Sequence, residues 1–224
     1  MGQAFVSERV PSGRSPLREW VTRAGRPIHR RLRRGKLELF LGLIADGGKN
    51  TLLDVGGNSG IDSEWLPLYQ QFREVSVVNL DPSPDPHPLP HVRRMVGDGR
   101  CLPFADGSFD WVFSNAVIEH VGPMEDQKRF ANEVRRVAAK GYFVACPNRY
   151  FPLEPHTLLP FYQFLPNSLQ KKVAPYSPGY LRAYEEINLL TCSQLRGMFP
   201  EAQVRAIGFP IIGNSIVAYH KRTD

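Results

Sequence analysis

Apolar positions recur with two different periods along this chain. Across residues 27–45, Ile28, Leu32, Leu37, Phe40, Leu41 and Ile44 stand at near-helical spacing, which predicts a helix. Asp46-Gly-Gly-Lys-Asn50 interrupts it. Thr51-Leu-Leu-Asp-Val55 is a short apolar run that ends in glycines, so a buried strand is expected there, followed by a helix over about 61–72. Residues 75–81 predict a second strand, closed by a proline-dense loop through Pro90. Residues 92–96 and 109–114 predict two more. Over 124–139, Phe130, Val134 and Val137 recur with charged residues between them, the pattern of a half-buried helix. Residues 141–146 form another apolar run, stopped by Pro147. A helix near 193–198 then precedes two closing strands, 203–207 and 216–220, expected to pair antiparallel.

Strand and helix alternate from residue 51 to 146, the order of a parallel sheet covered on both faces. The expected fold is therefore α/β: a Rossmann-like, seven-stranded, mostly parallel sheet sandwiched by helices, with an antiparallel C-terminal strand pair. Ligands of such sheets bind at the carboxyl ends of the strands. Polar residues stand at those ends: Asp54 and its glycines after the first strand, Asp81 after the second, Asp98 after the third, and Ser114-Asn115 after the fourth.

Residues 147–190 break the rhythm. Prolines 147, 152, 155, 160, 166, 175 and 178 alternate with Phe151, Phe161, Tyr162, Phe164, Tyr176, Tyr180 and Tyr184. A connection this long and aromatic reads as a lid or substrate-binding elaboration.

Composition changes this picture in two places. The chain of 224 residues carries a net charge of +6, yet residues 1–36 alone hold ten Arg or Lys against Glu8 and Glu19. The remainder is slightly acidic. The expected organisation is a basic N-terminal arm or helix (1–36) followed by one domain (37–224). Such an arm suits an anionic acceptor or a membrane surface; nucleic acid fits less well, because positive charge is confined to the arm. No stretch has the roughly 20 apolar residues of a membrane span, and no secretory signal is visible, so a cytoplasmic location is expected. Oligomeric state is left open. Cys101, Cys146 and Cys192 match no zinc spacing; buried or half-buried thiols are expected, and no metal.

The first strand-to-helix turn bears on the cofactor. A dinucleotide-binding G-x-G-x-x-G starting at Gly56 would need glycine at positions 58 and 61, which are Asn58 and Ile61. No Gly-Lys-Ser/Thr exists either, so a phosphate-cradling loop is excluded. Asp81 lies about twenty residues beyond Gly60, where a carboxylate can accept from both hydroxyls of a ribose. Asp98, in Val96-Gly-Asp-Gly-Arg-Cys101, can accept from an adenine amino group.

Leu53-Asp-Val-Gly-Gly-Asn-Ser-Gly60, Asp81, Asp98, Leu102-Pro-Phe104, Ser108-Phe-Asp-Trp-Val112 and Glu119-His-Val121 together resemble the class I S-adenosylmethionine-dependent methyltransferases, in particular the methyltransferase type 11 branch. The resemblance runs from about Thr51 to Asn148. It implies S-adenosyl-L-methionine as methyl donor and S-adenosyl-L-homocysteine as product. It implies a donor site of Asp54, Gly56, Gly57, Asn58, Gly60, Asp81, Asp98, Gly99, Arg100, Asn115 and Ala116. Asn58 replaces the family's second glycine; Asn is the residue that best tolerates the positive φ of that position. The implied reaction is displacement of the sulfonium methyl by O, N or C of an acceptor. His120 and, in Glu154-Pro-His-Thr157, His156 are the candidate general bases. The aromatic segment favours a small-molecule acceptor, apolar or flat or lipid-linked; a sugar stacks equally well. Methylation of RNA or protein steered by the arm, and a non-catalytic binding subunit, are the alternatives.

Overall fold

The computed structural model describes residue 31 and residues 33–44, 50–57, 65–82 and 89–222. Most of the basic arm, Asn58, Gly60 and the start of the helix expected over 61–72 lie outside them. Seven strands form one sheet: β1 (Thr51–Val55), β2 (Glu74–Asn79), β3 (Val92–Val96), β4 (Phe109–Asn115), β5 (Ala138–Pro147), β6 (Gln203–Ile207) and β7 (Ser215–Lys221). Their order is β3-β2-β1-β4-β5-β7-β6. β7 runs antiparallel to both its neighbours, and the other pairs are parallel. The expected α/β architecture and its antiparallel C-terminal pair are those observed.

Side chains alternate across the central strands, so each strand feeds two cores. One face collects Leu53, Val55, Val112, Tyr142, Val144, Ile216 and Ala218, covered by α3 (Met124–Val137) and α5 (Cys192–Met198). From α3 come Phe130, Ala131, Val134 and Val137, all fully buried, on the stripe that the periodicity predicts. The other face collects Leu52, Val75, Val77, Trp111, Phe113, Phe143, Val217 and Tyr219. It is covered by α1 (33–41) and α2 (Leu66–Tyr69). Phe40 of α1 is the centre of that layer, with ring centroids 5.3 Å from Phe113, 5.2 Å from Phe143 and 5.8 Å from Trp111.

Several boundaries move. α2 ends at Tyr69 rather than Phe72, because residues 70–73 turn into β2. β2 ends at Asn79, leaving Leu80 and Asp81 beyond it. α3 stops at Val137, and Ala138 already has extended backbone (φ −80°, ψ 122°), so helix passes into β5 with no loop. Pro147 is the last residue of β5, opposite Ser215 of β7. β4 has its last partner at Ala145, so no ladder bond is asked of the missing proline N–H on that side. α1 runs across the 36/37 division between arm and domain. Among the described residues no helix is long and apolar enough to cross a membrane.

The 147–190 segment contains a 3-10 turn (Tyr162–Phe164), α4 (Asn167–Val173) and a second 3-10 turn (Ala174–Tyr176). Its anchor is a buried polar turn. Glu154 accepts from the backbone N–H and hydroxyl of Thr157, each at 2.7 Å, and from the backbone N–H of His156. Gly179 lies so close that a Cβ would meet the His156 carbonyl oxygen at 2.2 Å.

Candidate active site

β1 delivers the glycine loop. The Gly56 N–H donates to the Val78 carbonyl at 2.7 Å, and the residue then turns to φ +85°. A Cβ there would lie 2.3 Å from Val117 Cγ2; at Gly57 it would lie 2.7 Å from Asp54 Oδ2. The turn is held from the neighbouring strands. Asn79 donates from Nδ2 to the Gly57 carbonyl at 2.8 Å, and Arg94 donates to the same oxygen at 3.3 Å. Beneath the loop Asp54 is buried and accepts from the Tyr69 hydroxyl at 2.5 Å. Burial pushes its carboxyl up to about 6, against the pull of Tyr69 and Arg94.

Asp81 stands exposed past β2, its backbone N–H bonded to Asn79 Oδ1 at 3.0 Å. Asp98 is engaged by Arg100: Nε lies 3.0 Å from both carboxylate oxygens and Nη2 2.7 Å from Oδ2. That contact holds the Asp98 carboxyl below its ordinary value. Arg100 also donates to Asp126 at 3.0 Å, tying the turn to the first helical turn of α3. Gly99 serves packing, since a Cβ would meet the Phe130 ring at 2.6 Å. The thiols divide: Cys146 is buried and Cys192 half-buried as expected, whereas Cys101 is exposed because its turn faces outward.

At the end of β4, Asn115 Oδ1 accepts from Lys36 of α1 at 2.9 Å. Burial lowers the Lys36 ammonium to about 8. Ala116 takes φ +58° and donates its N–H to the Ala145 carbonyl. A 3-10 turn (Ile118–His120) follows and carries Glu119, which is fully buried. Among the described residues neither Glu119 carboxylate oxygen has a hydrogen-bond partner. Burial raises its pKa, although His120, its own backbone, His156 and Lys36 pull the other way.

The two sequence-predicted histidines meet here. Their rings stack edge to face at 5.0 Å, and Tyr180 packs against His156 in the same manner. His120 Nδ1 lies 3.2 Å from Glu185 Oε1, and its Nε2 is 4.0 Å from Glu119 Oε1. His156 is buried with Nδ1 bonded to Glu154. Burial opposes a charge on His120, but Glu185, Glu119 and Glu154 together outweigh it and raise its pKa. Glu154, Tyr180 and Glu185, like Lys36, Tyr69 and Asn79, carry no sequence signal of a role here. Glu119 sits inside the quoted Glu119-His-Val121 signature, but its burial is visible only in the fold.

A cleft of about 490 Å³ is lined by Met124, Arg149, Phe164, Tyr184, Glu186 and Gln194 among others, and by neither His120 nor His156. Tyr184 and Glu186 face it, while Glu185 between them turns to His120.

Over residues 53–146 the chain matches the family described as Methyltransferase domain. The matched stretch holds the glycine-loop side and the turn with Glu119 and His120. An uncharacterized methyltransferase of Mycobacterium sp. (strain KMS) is 36% identical over 99 residues, 42% of this chain and 36% of that protein. The match therefore spans little more than a third of the length of the curated relatives. The magnesium protoporphyrin IX methyltransferase of Synechocystis PCC 6803, solved with bound SAH, superposes with a TM-score of 0.58 at 15% identity, over 95% of this chain and 90% of that one. An S-adenosylmethionine dependent methyltransferase of Mesorhizobium loti gives 0.58 at 10% identity, over 83% and 96%. With both, this chain shares the fold.

Proposed function

We propose that the protein transfers a methyl group from S-adenosylmethionine to a small-molecule acceptor. The donor supplies an electrophilic sulfonium methyl; the chain's own residues bind, align and exclude water. The observation that carries the reading is the covering of Gly56 by Val117, two residues before Glu119. It joins a glycine turn, too close to Val117 to carry a side chain, to a cluster rich in acid–base groups at adjacent strand ends.

On the donor side, Gly56 and Gly57 shape the turn at the end of β1 against which the donor lies, and Asn58 and Gly60 are the next donor contacts in sequence. Asp81, exposed past the end of β2, accepts from the ribose hydroxyls. Asp54 serves the methionine amino group, and Asn115 and Ala116 line that end. Asp98, Gly99 and Arg100 bound the adenine side; with the Asp98 carboxylate spanned by Arg100, adenine meets this ion pair rather than a bare carboxylate.

On the acceptor side, His120 and His156 are the groups that handle the acceptor's proton. Each has Nδ1 turned to a carboxylate, which fixes the ring and leaves Nε2 available. The test is calorimetric titration of the full chain with S-adenosylmethionine, followed by transfer of labelled methyl to candidate acceptors. Saturable donor binding, weakened about tenfold or more by Asp81→Ala, is expected from the loss of a two-hydroxyl contact. Absence of donor binding by the folded wild type overturns the reading.

A further inference from the structure

Glu119 is a buried side chain whose two acidic oxygens have been left bare in a cluster with two histidines. One ligand-type atom from each of Glu119, His120 and His156 lies within 4.8 Å of the others. Buried polar groups are hydrogen-bonded as a rule, so a fully buried carboxylate with no partner among the described residues needs an explanation. The histidines give a second, independent one. Both direct Nδ1 at a carboxylate, His120 at Glu185 and His156 at Glu154. That is the arrangement by which metal-ligating histidines are oriented: the far nitrogen bonded to a carboxylate, the near one presented to the ion.

We propose that Glu119, His120 and His156 bind one divalent first-row transition-metal cation at the acceptor end of the site. Two imidazoles and one carboxylate suit zinc, cobalt, manganese or iron better than magnesium, which prefers oxygen ligands alone. Three protein ligands leave open positions on such an ion for water or an acceptor oxygen. Glu154 and Glu185 are the positioning residues, and Glu154 is itself fixed by three donors from His156 and Thr157. The inference deepens the methyl-transfer reading: the histidines then hold the cation, and an oxygen acceptor bound to it loses its proton more readily. The cation site stands or falls by metal binding alone, whatever the donor does.

The experiment uses the full chain without a polyhistidine tag, dialysed against a chelator and titrated with Co2+, whose visible absorption reports ligand geometry, with Zn2+ in competition. One equivalent per chain is expected. Glu119→Gln, which keeps shape and removes the charge, should weaken binding about tenfold or more, and Glu154→Gln by about tenfold to hundredfold through the orientation of His156. Circular dichroism checks that each variant is folded; if Glu154→Gln is not, Glu185→Gln tests the same idea at His120. Failure of the folded wild type to take up Co2+ or Zn2+ at millimolar concentration overturns the proposal. So does binding that Glu119→Gln leaves unchanged. Donor titration run alongside separates the two ideas: cation binding without donor binding sinks only the donor reading, and the reverse sinks only the cation.

Discussion

A Cβ at Gly56 would sit 2.3 Å from Val117 Cγ2 on a backbone with φ +85°, so two separate penalties meet at one residue. Gly56→Ala should cost at least about 2 kcal/mol of stability, from left-handed strain plus overpacking. Gly56→Ala combined with Val117→Ala should recover the packing part and keep the strain; urea unfolding of the two variants separates them. Asp54 supplies a prediction in pH. Its carboxyl is raised from an ordinary 3.8 to about 6 by burial, so the folded state holds the proton longer than the unfolded chain. Between those values the fold binds more protons, and stability therefore falls as pH rises through the window. The loss should reach about 3 kcal/mol by pH 7, and Asp54→Asn should abolish this component when unfolding is measured from pH 4 to 7 without ligand. Asp54, Gly56 and Gly57 were legible in the sequence because they are consecutive and end an apolar run. Glu119 was legible only as part of a signature: its surroundings include His156 and Lys36, which come from remote stretches of chain.

At the scale of elements, the strands were readable because those at the centre of the sheet are buried on both faces, which leaves continuous apolar runs in the sequence. The ends were harder. β5 begins at the residue after α3, so no polar loop marks the change, and Pro147 sits where a partner strand has already finished. α1 was readable from its spacing, but its importance was not. Phe40 contacts rings from β4 and β5, while Lys36 of the same helix reaches Asn115 at the end of β4. Phe40→Ala should destabilise the protein by about 3–5 kcal/mol, the range for emptying a fully buried aromatic site. A denaturation midpoint shifted by less than a third of that would mean that α1 is only loosely docked.

Over the whole molecule, the site is assembled from two stretches of different character. The proposed donor side comes from the regular βα units of residues 53–120, where periodicity and motif spacing both speak. The proposed acceptor side takes Glu154, His156, Tyr180 and Glu185 from the 147–190 segment, whose irregular backbone follows no period; its aromatic and proline content marked it as an elaboration without saying which side chains turn inward. This division predicts a division in kinetics. Among the described residues, the Glu154 side chain bonds His156 and Thr157 and none of Asp54, Gly56, Gly57 or Asp81. Glu154→Gln should therefore lower kcat about tenfold or more, since a mis-oriented His156 no longer serves the acceptor, while the affinity for S-adenosylmethionine stays within about twofold. Asp81→Ala should do the opposite, raising KM for the donor with less effect on kcat at saturation. Steady-state rates over a grid of donor and acceptor concentrations, with donor affinity taken independently from calorimetry, read both. Were Glu154→Gln to weaken the donor as much as it slows turnover, the two halves would be one continuous pocket, and the 147–190 segment would close over donor and acceptor together.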